Sequence, residues 1–350
     1  MSTSSEKIAI TSPIPGTPTK AFLDALPSEQ DFIVIDDSNG KIELPKRENI
    51  FLYDYAAQEK VLGPFYKDFI PFQKSAACRN LAHFFAYKNG YDYAVSLDYD
   101  CVVPEGFIDQ HLAPFKASSL HGIGEGGWVN PLESDEWFSR GFPYSMRGSY
   151  MRGDYKTVQK NVILNMGLWK NVVDINGIDK VITKAPEEFK NRYPNTAVLG
   201  YVPLCGMNNM FKREAIPAYF FLPNFKIGNW EVSRIDDIWG GYIFEKLAEK
   251  KGDVITYGGP VVWHERESNQ AKVLHYEHFM HILEPYFYEL ADAAAESVKA
   301  GSYLEMFAHF AENFSRELEK RNKNLPVDYF AGFSVLANAI NLWKNLFQKL

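Results

Sequence analysis

Cysteine is scarce in this 350-residue chain: Cys78, Cys101 and Cys205 are its three, with no CxxC spacing. So few and so scattered, they exclude a disulfide framework and a thiolate zinc site. They read as ordinary buried residues of a protein kept in a reducing compartment. Long apolar runs are missing too, since none reaches the roughly 20 residues a membrane-spanning helix needs. The opening MSTSSEKIAITSPIPG lacks the apolar core of a signal peptide. A cytoplasmic protein, soluble or at most attached to a surface, is the expectation. Nor is there a basic run: Lys plus Arg number 37 against 44 Asp plus Glu, a net charge of −7. Nucleic acid is thereby excluded as an expected partner. An anionic substrate is not, because a metal ion and a few placed arginines can reverse the sign locally. Repeats and low-complexity segments are absent.

What the chain does have is apolar mass, 46% hydrophobic and 15% aromatic residues, enough for one large or two modest domains. Lys7 to Ser12 reads as a β-branched strand and Ala21 to Leu26 as a short helix. Asp31-Phe-Ile-Val-Ile-Asp36 is a continuous apolar run between acids, as in a parallel strand covered on both faces. Ser75 to Tyr87 has helical spacing and stops at Asn89-Gly90. It leads into a second buried strand, Tyr91 to Leu97. Strand, helix and strand in succession predict a right-handed crossover and a mostly parallel sheet. From Gly122 to Tyr201 the pattern weakens into Gly-, Trp- and Tyr-rich stretches expected to supply binding loops. Apolar stretches follow at Leu199 to Phe211 and Val254 to Trp263. Helical periodicity then takes over through Phe279 to Ala300, Tyr303 to Arg321 and Tyr329 to Leu350. The expected division is a catalytic domain over 1–274 and a helical region over 275–350.

Three polar constellations stand out against this background. Ser96-Leu-Asp-Tyr-Asp-Cys101 puts two carboxylates, Asp98 and Asp100, two residues apart where a buried strand runs out. Strand periodicity sends both to one side and Tyr99 to the other. The carboxyl ends of strands are where open α/β sheets bind ligands. Hard oxygen ligands suit Mn²⁺ or Mg²⁺, which need only one or two carboxylates when substrate phosphates complete the shell. A solvated turn is the bland alternative. The second constellation is Arg234-Ile-Asp-Asp-Ile-Trp-Gly-Gly241, whose adjacent acids could merely cap a helix or include a general base or sugar anchor; both Asp236 and Asp237 are catalytic candidates, and the two uses combine if Asp236 caps and Asp237 reacts. Trp239 in the same segment is a candidate sugar-nucleotide contact. The third is Val261-Val-Trp-His264-Glu-Arg266, which closes a strand with an imidazole able to complete a metal shell.

Taken together, these segments resemble the reversibly glycosylated polypeptide family, which includes the plant UDP-arabinopyranose mutases. The matching pieces are LGPF at 62–65, SAACR at 75–79, SLDYDC at 96–101, RGFPYSMRG at 140–148 and GLW at 167–169. PLCGMNNMFKRE at 203–214, RIDDIWGG at 234–241 and GPVVWHERESN at 259–269 follow in the family's order. The resemblance implies a GT-A (Rossmann-like) fold, a UDP-sugar donor, and Mn²⁺ or Mg²⁺ on Asp98 and Asp100 with His264 as third contact. It makes Arg147 the counterpart of an arginine that family members glycosylate or need for activity. The bland reading of Arg147 is a loop residue pairing with a surface acid. By the same analogy Asp36 or Asp37 faces the uracil ring and Arg79 reaches the diphosphate. At Tyr99 the chain departs from the plant mutases, which carry a third aspartate there, so their activity does not carry over on this motif.

Three functions compete. The first is a glycosyltransferase passing sugar from a UDP donor to a carbohydrate or small-molecule acceptor. The second is a pyranose–furanose mutase with Arg147 as transient carrier, and the third a non-catalytic, self-glycosylated nucleotide-sugar-binding protein. The apolar tail from Tyr329 to Trp343 is expected to pack into the core, with homo-oligomerisation or peripheral membrane contact as its other uses.

Overall fold

The computed structural model describes residues 6–63, 76–182, 184–266 and 269–350. Its first half joins parallel strands in succession. Strand β1 (Ile8–Ile14) is followed by α1 (Lys20–Ala25), β2 (Asp31–Asp36), β3 (Ile50–Tyr53) and α2 (Tyr55–Leu62). A 3₁₀ turn at Ala76–Cys78 opens α3 (Arg79–Lys88), which leads into β4 (Tyr93–Leu97). The four strands lie side by side in the order β3-β2-β1-β4, all parallel. β1, β2 and β4 are buried almost throughout, as suits strands covered on both faces, whereas Phe51 and Leu52 of β3 are exposed. The expected helix from Ser75 starts instead as the 3₁₀ turn, Ser75 itself falling outside the described residues. Asn89 caps it, and Gly90 supplies the positive φ of 77° that reverses the chain.

The second half continues the same sheet with mixed polarity. It comprises β5 (Cys101–Val102), α4 (Phe107–Lys116), β6 (Leu120–Ile123), β7 (Lys156–Val158), β8 (Val162–Asn171), α5 (Gly177–Ile182), β9 (Asn195–Val198) and β10 (Asn208–Lys212). A small hairpin, β11 (Phe225–Ile227) with β12 (Trp230–Val232), precedes α6 (Asp236–Lys251) and β13 (Val254–His264). Beyond β4 the order runs β10-β8-β13-β9-β6-β7, with β10 antiparallel to both neighbours and β8 parallel to β13. Thus β1, β2, β4, β8 and β13 all run the same way, and an α/β fold with helices flanking the sheet is what the structure has. The ten-residue β8 corrects the expectation of loops across Gly122 to Tyr201. Its Val162–Trp169 stretch is buried on both faces, so no alternation marks it, and Asn165 and Gly167 interrupt its apolar run.

Three helices close the chain: α7 (Gln270–Glu296), α8 (Tyr303–Arg321) and α9 (Val327–Phe347). Ser302 starts α8 with a reciprocal capping box to Glu305. Trp343 of α9 is wholly buried, stacks on Phe220 at 5.3 Å and donates its Nε1–H to the Pro217 carbonyl at 3.0 Å. An aromatic that size removes on the order of 150–250 Å² from water, an upper bound of about 4–6 kcal/mol. The apolar side of α9 is therefore spent on packing, and one buried cluster runs from Ile8 to Phe347. Among the described residues no helix is long and apolar enough to cross a membrane.

Candidate functional site

Arg79, the first residue of α3, is bonded to Ser96 and Asp98 at the end of β4, and Gly206 ties it to Asp237 at the start of α6, so both helices start at the edge where β1, β2, β4, β8 and β13 end. That edge collects the carboxyl-terminal residues Asp36, Leu97, Asn171 and His264 together with Arg79, Asp236 and Asp237, the crevice where such sheets bind ligands.

At its centre the chain leaves β4 through Asp98, Tyr99 and Asp100 and pairs Cys101 of β5 with His264 of β13. This pairing carries His264 to the acids. Its Nε2 lies 3.8 Å from Asp100 Oδ1, and its Nδ1 is 2.7 Å from the Val172 carbonyl. A carbonyl only accepts, so Nδ1 carries the proton and, in the neutral ring, the Nε2 lone pair faces Asp100. Arg266 Nε stands 3.3 Å from Asp100 Oδ2 and its guanidinium donates to the Tyr99 hydroxyl. Burial, and next the Asp98 carboxylate, push the Asp100 carboxyl above the usual range, against the pull of His264 and Arg266.

Arg79 donates from Nη2 to Asp98 Oδ1, and from Nη1 to Ser96 Oγ and the Gly206 carbonyl, each at 2.6 Å. Only 4% exposed, it is turned into the protein to hold Asp98, whereas the resemblance has it reach a diphosphate. Burial would lower its pKa, but Asp98 raises it, so it stays a cation. Among the described residues no group of three or more His, Cys, Asp or Glu side chains is placed to hold a metal ion. Asp98, Asp100 and His264 still meet at an open corner, where a divalent cation would need phosphate oxygens to complete its shell.

The second acidic motif is built differently. Asp237 is buried in a two-pronged ion pair with Arg140, Nη1 to Oδ1 at 2.9 Å and Nη2 to Oδ2 at 2.5 Å. It also accepts from the Gly206 and Ile238 amides, both at 2.9 Å. Arg140 Nε reaches Asp174 at 2.8 Å, Arg234 lies 3.5 Å from Asp174, and Arg234 Nε holds Glu277 of α7 at 2.7 Å. With its oxygens occupied, Asp237 is an anchor. Asp236 has no side-chain hydrogen bond or ion pair among the described residues, and α6 starts without a side-chain cap, which corrects the expected capping role. Burial first, then Asp237 beside it, push the Asp236 carboxyl up to about 7, while Arg140, Arg79 and Arg234 pull it down. Gly206 joins the two clusters, its carbonyl on Arg79 and its amide on Asp237. A Cβ there would meet the Phe221 ring at 2.4 Å, so the join requires glycine.

The remaining candidates divide. Asp36 spends its carboxylate on its own turn, accepting from the Ser38 amide and hydroxyl at 2.7 and 2.6 Å and from Gly40 at 3.0 Å. Asp37 is buried directly after β2. Trp239 is 0% exposed and stacks on Phe287 at 4.3 Å; the expected sugar contact is a core residue. Arg147 forms a two-pronged pair with Asp179 of α5 at 3.0 and 2.5 Å and lies over the Tyr144 and Phe138 rings at 4.0 and 4.7 Å. The bland reading pairs Arg147 with a surface acid; it does pair with an acid, but one whose side chain is only 12% exposed. Sequence reading missed Arg140, Asp174 and Glu277, since nothing distinguishes a buried arginine or acid from a surface one before the fold is known. The only available signal was the place of Arg140 at the head of RGFPYSMRG. The cysteines are free and buried, as expected.

The chain matches the model of the family described as "Reversibly glycosylated polypeptide" over residues 21–350. It is 26% identical over 363 residues to "Probable UDP-arabinopyranose mutase 4" of Arabidopsis thaliana, covering 95% of this chain and 89% of that protein. "UDP-arabinopyranose mutase 1" of the same plant is 25% identical over 338 residues, covering 90% and 84%. Among solved structures, glucosyl-3-phosphoglycerate synthase from Mycobacterium tuberculosis superposes with a TM-score of 0.41 at 10% identity over 80% of each chain, a similarity too loose to bear on the site.

Proposed function

The chain belongs to the reversibly glycosylated polypeptide family, and from that premise we propose that it is a metal-dependent glycosyltransferase of GT-A type, moving the sugar of a UDP-sugar donor to a carbohydrate or small-molecule acceptor. The observation that carries the reading is the open Asp98, Asp100 and His264 corner at the carboxyl ends of the strands, with Asp100 raised by burial and by Asp98. Mn²⁺ or Mg²⁺ would be held there by the two carboxylates and His264 Nε2, and when bound it offsets the charge of the departing diphosphate.

The chain's own residues supply the rest. Arg79 fixes Asp98 in place, and Arg266, with a side chain 61% exposed, offers a mobile fork to a phosphate oxygen. Asp37, directly after β2, faces the uracil. Asp236 accepts the proton of the acceptor hydroxyl, a role that requires a carboxylate poised near neutral pH. Asp237 stays paired with Arg140 and keeps Asp236 poised, while Arg147, clamped to Asp179, shapes the acceptor side. Residues 1–274 carry this chemistry and the helices of 275–350 brace it.

A second reading, mutase, is favoured by the names of the two plant relatives. Incubation with UDP-sugars and Mn²⁺, followed by separation of the nucleotides, distinguishes them. A transferase yields free UDP and an acceptor-dependent product, whereas a mutase yields an isomeric UDP-sugar without acceptor. If every UDP-sugar is returned unchanged, both fail.

A further inference from the structure

Next to the metal corner lies a cavity of about 480 Å³, within the size range of small-ligand sites. One wall is the chain leaving β8, with Val172, Val173 and Ile175. The other is α5 and the residues after it, with Lys180, Val181 and Lys184. The first wall is shared with the corner: the Val172 carbonyl takes the His264 Nδ1–H, and Asn171 Nδ2 donates to the His264 carbonyl at 2.9 Å. The second wall is anchored by the clamp of Asp179 on Arg147.

The lining has a definite chemistry. Among the described residues the ammonium group of neither lysine makes a hydrogen bond or ion pair. Lys180 nevertheless acts on buried Asp174: burial pushes that carboxyl up, but Arg140 and then Lys180 outweigh it and hold it well below the usual range. Val181 is 53% exposed, an apolar surface against which the carbon skeleton of a ligand can lie. Glu187 is the one acid among the described residues lining the cavity. In a chain of net charge −7, two unpaired lysines on a cavity wall are complementary to an anion.

We infer that this cavity is the second-substrate site and that it takes a small sugar bearing a phosphate or a carboxylate. The inference rests on the UDP-sugar reading above. The acceptor's free hydroxyl oxygen bonds to the anomeric carbon, the bond from that carbon to the diphosphate oxygen breaks with its electron pair, and the hydroxyl proton passes to Asp236. UDP and a glycosylated, still anionic product leave.

Isothermal titration of the full-length protein with glucose 6-phosphate, glucuronate and glucose tests it, alongside a Lys180→Ala/Lys184→Ala variant. UDP with Mn²⁺ is titrated separately into both proteins. At least one charged sugar binds the unmodified protein and uncharged glucose does not. The double variant loses at least tenfold in that affinity while its affinity for UDP is unchanged. The phosphate and carboxylate arms tell which anion is read. Equal binding of glucose, an unaltered variant, or no binding by either charged sugar overturns the inference. Failure of UDP to bind overturns the donor reading instead, leaving the lysine result to stand or fall by itself.

Discussion

Two pairs of aspartates sit on one edge of the sheet, and their surroundings differ. Asp98 and Asp100 share a single buried arginine, an imidazole at 3.8 Å and a largely exposed Arg266. Asp237 is enclosed by Arg140 in a chain of alternating charges that runs through Asp174 and Arg234 to Glu277. Where every oxygen is satisfied, a carboxylate gives the site its shape. Where burial and a neighbouring carboxylate outweigh the cations, as at Asp100 and Asp236, the pKa rises and the group is poised for a cation or a proton.

Breaking the closed cluster should have the largest effect. Arg140→Ala leaves Asp174 and Asp237 buried without their partner, and urea denaturation should show a loss of about 3–5 kcal/mol. A loss under 1 kcal/mol would mean the cluster is no anchor. Next in size, Asp236→Asn should slow transfer by roughly 10²-fold or more and abolish the acidic limb of the pH–rate profile. Since the reacting form is the carboxylate, wild-type activity should climb as pH rises through about 7.

The same raised pKa bears on stability. A proton binds folded Asp236 more tightly than the unfolded chain, whose value is about 3.9. Its stabilising effect is therefore full at low pH and is lost as pH rises toward 7. The Asn variant should accordingly gain in melting temperature relative to wild type between pH 5 and 8, and a constant difference would contradict the assignment. Smaller still, Gly206→Ala should cost about 1–3 kcal/mol through its clash with Phe221. It should also weaken metal-dependent nucleotide binding, because the backbone that joins Arg79 to Asp237 must shift.

Much of this edge was legible before the fold. The apolar run ending at Leu97 places Asp98 and Asp100 at a strand's carboxyl end, and the crossover rule puts α3 beside them. His264 could be ranked but not located, since it reaches the acids only through the pairing of the two-residue β5 with a strand about 160 residues later. Within Asp236-Asp237 it is Asp237 that is locked in an ion pair, and Asp236 caps no amide. Adjacent acids at a helix start look alike until one knows which faces a buried arginine, and that arginine lies 97 residues away. Trp239 failed for a related reason, because an aromatic after an acidic pair reads equally as a ligand platform or as a core plug, and only α7 packing over it decides.

The central claim is that Asp98 and Asp100 hold a divalent ion that binds a sugar nucleotide's diphosphate. Thermal unfolding with UDP tests it most directly, in Mn²⁺ and in chelator, for wild type and for Asp98→Asn/Asp100→Asn. A ligand that binds only the native state at 100 times its Kd stabilises by about 2.7 kcal/mol. The account predicts a rise in melting temperature for wild type with Mn²⁺ alone, absent in chelator and absent in the variant. An equal rise in the variant, or one indifferent to Mn²⁺, would contradict it.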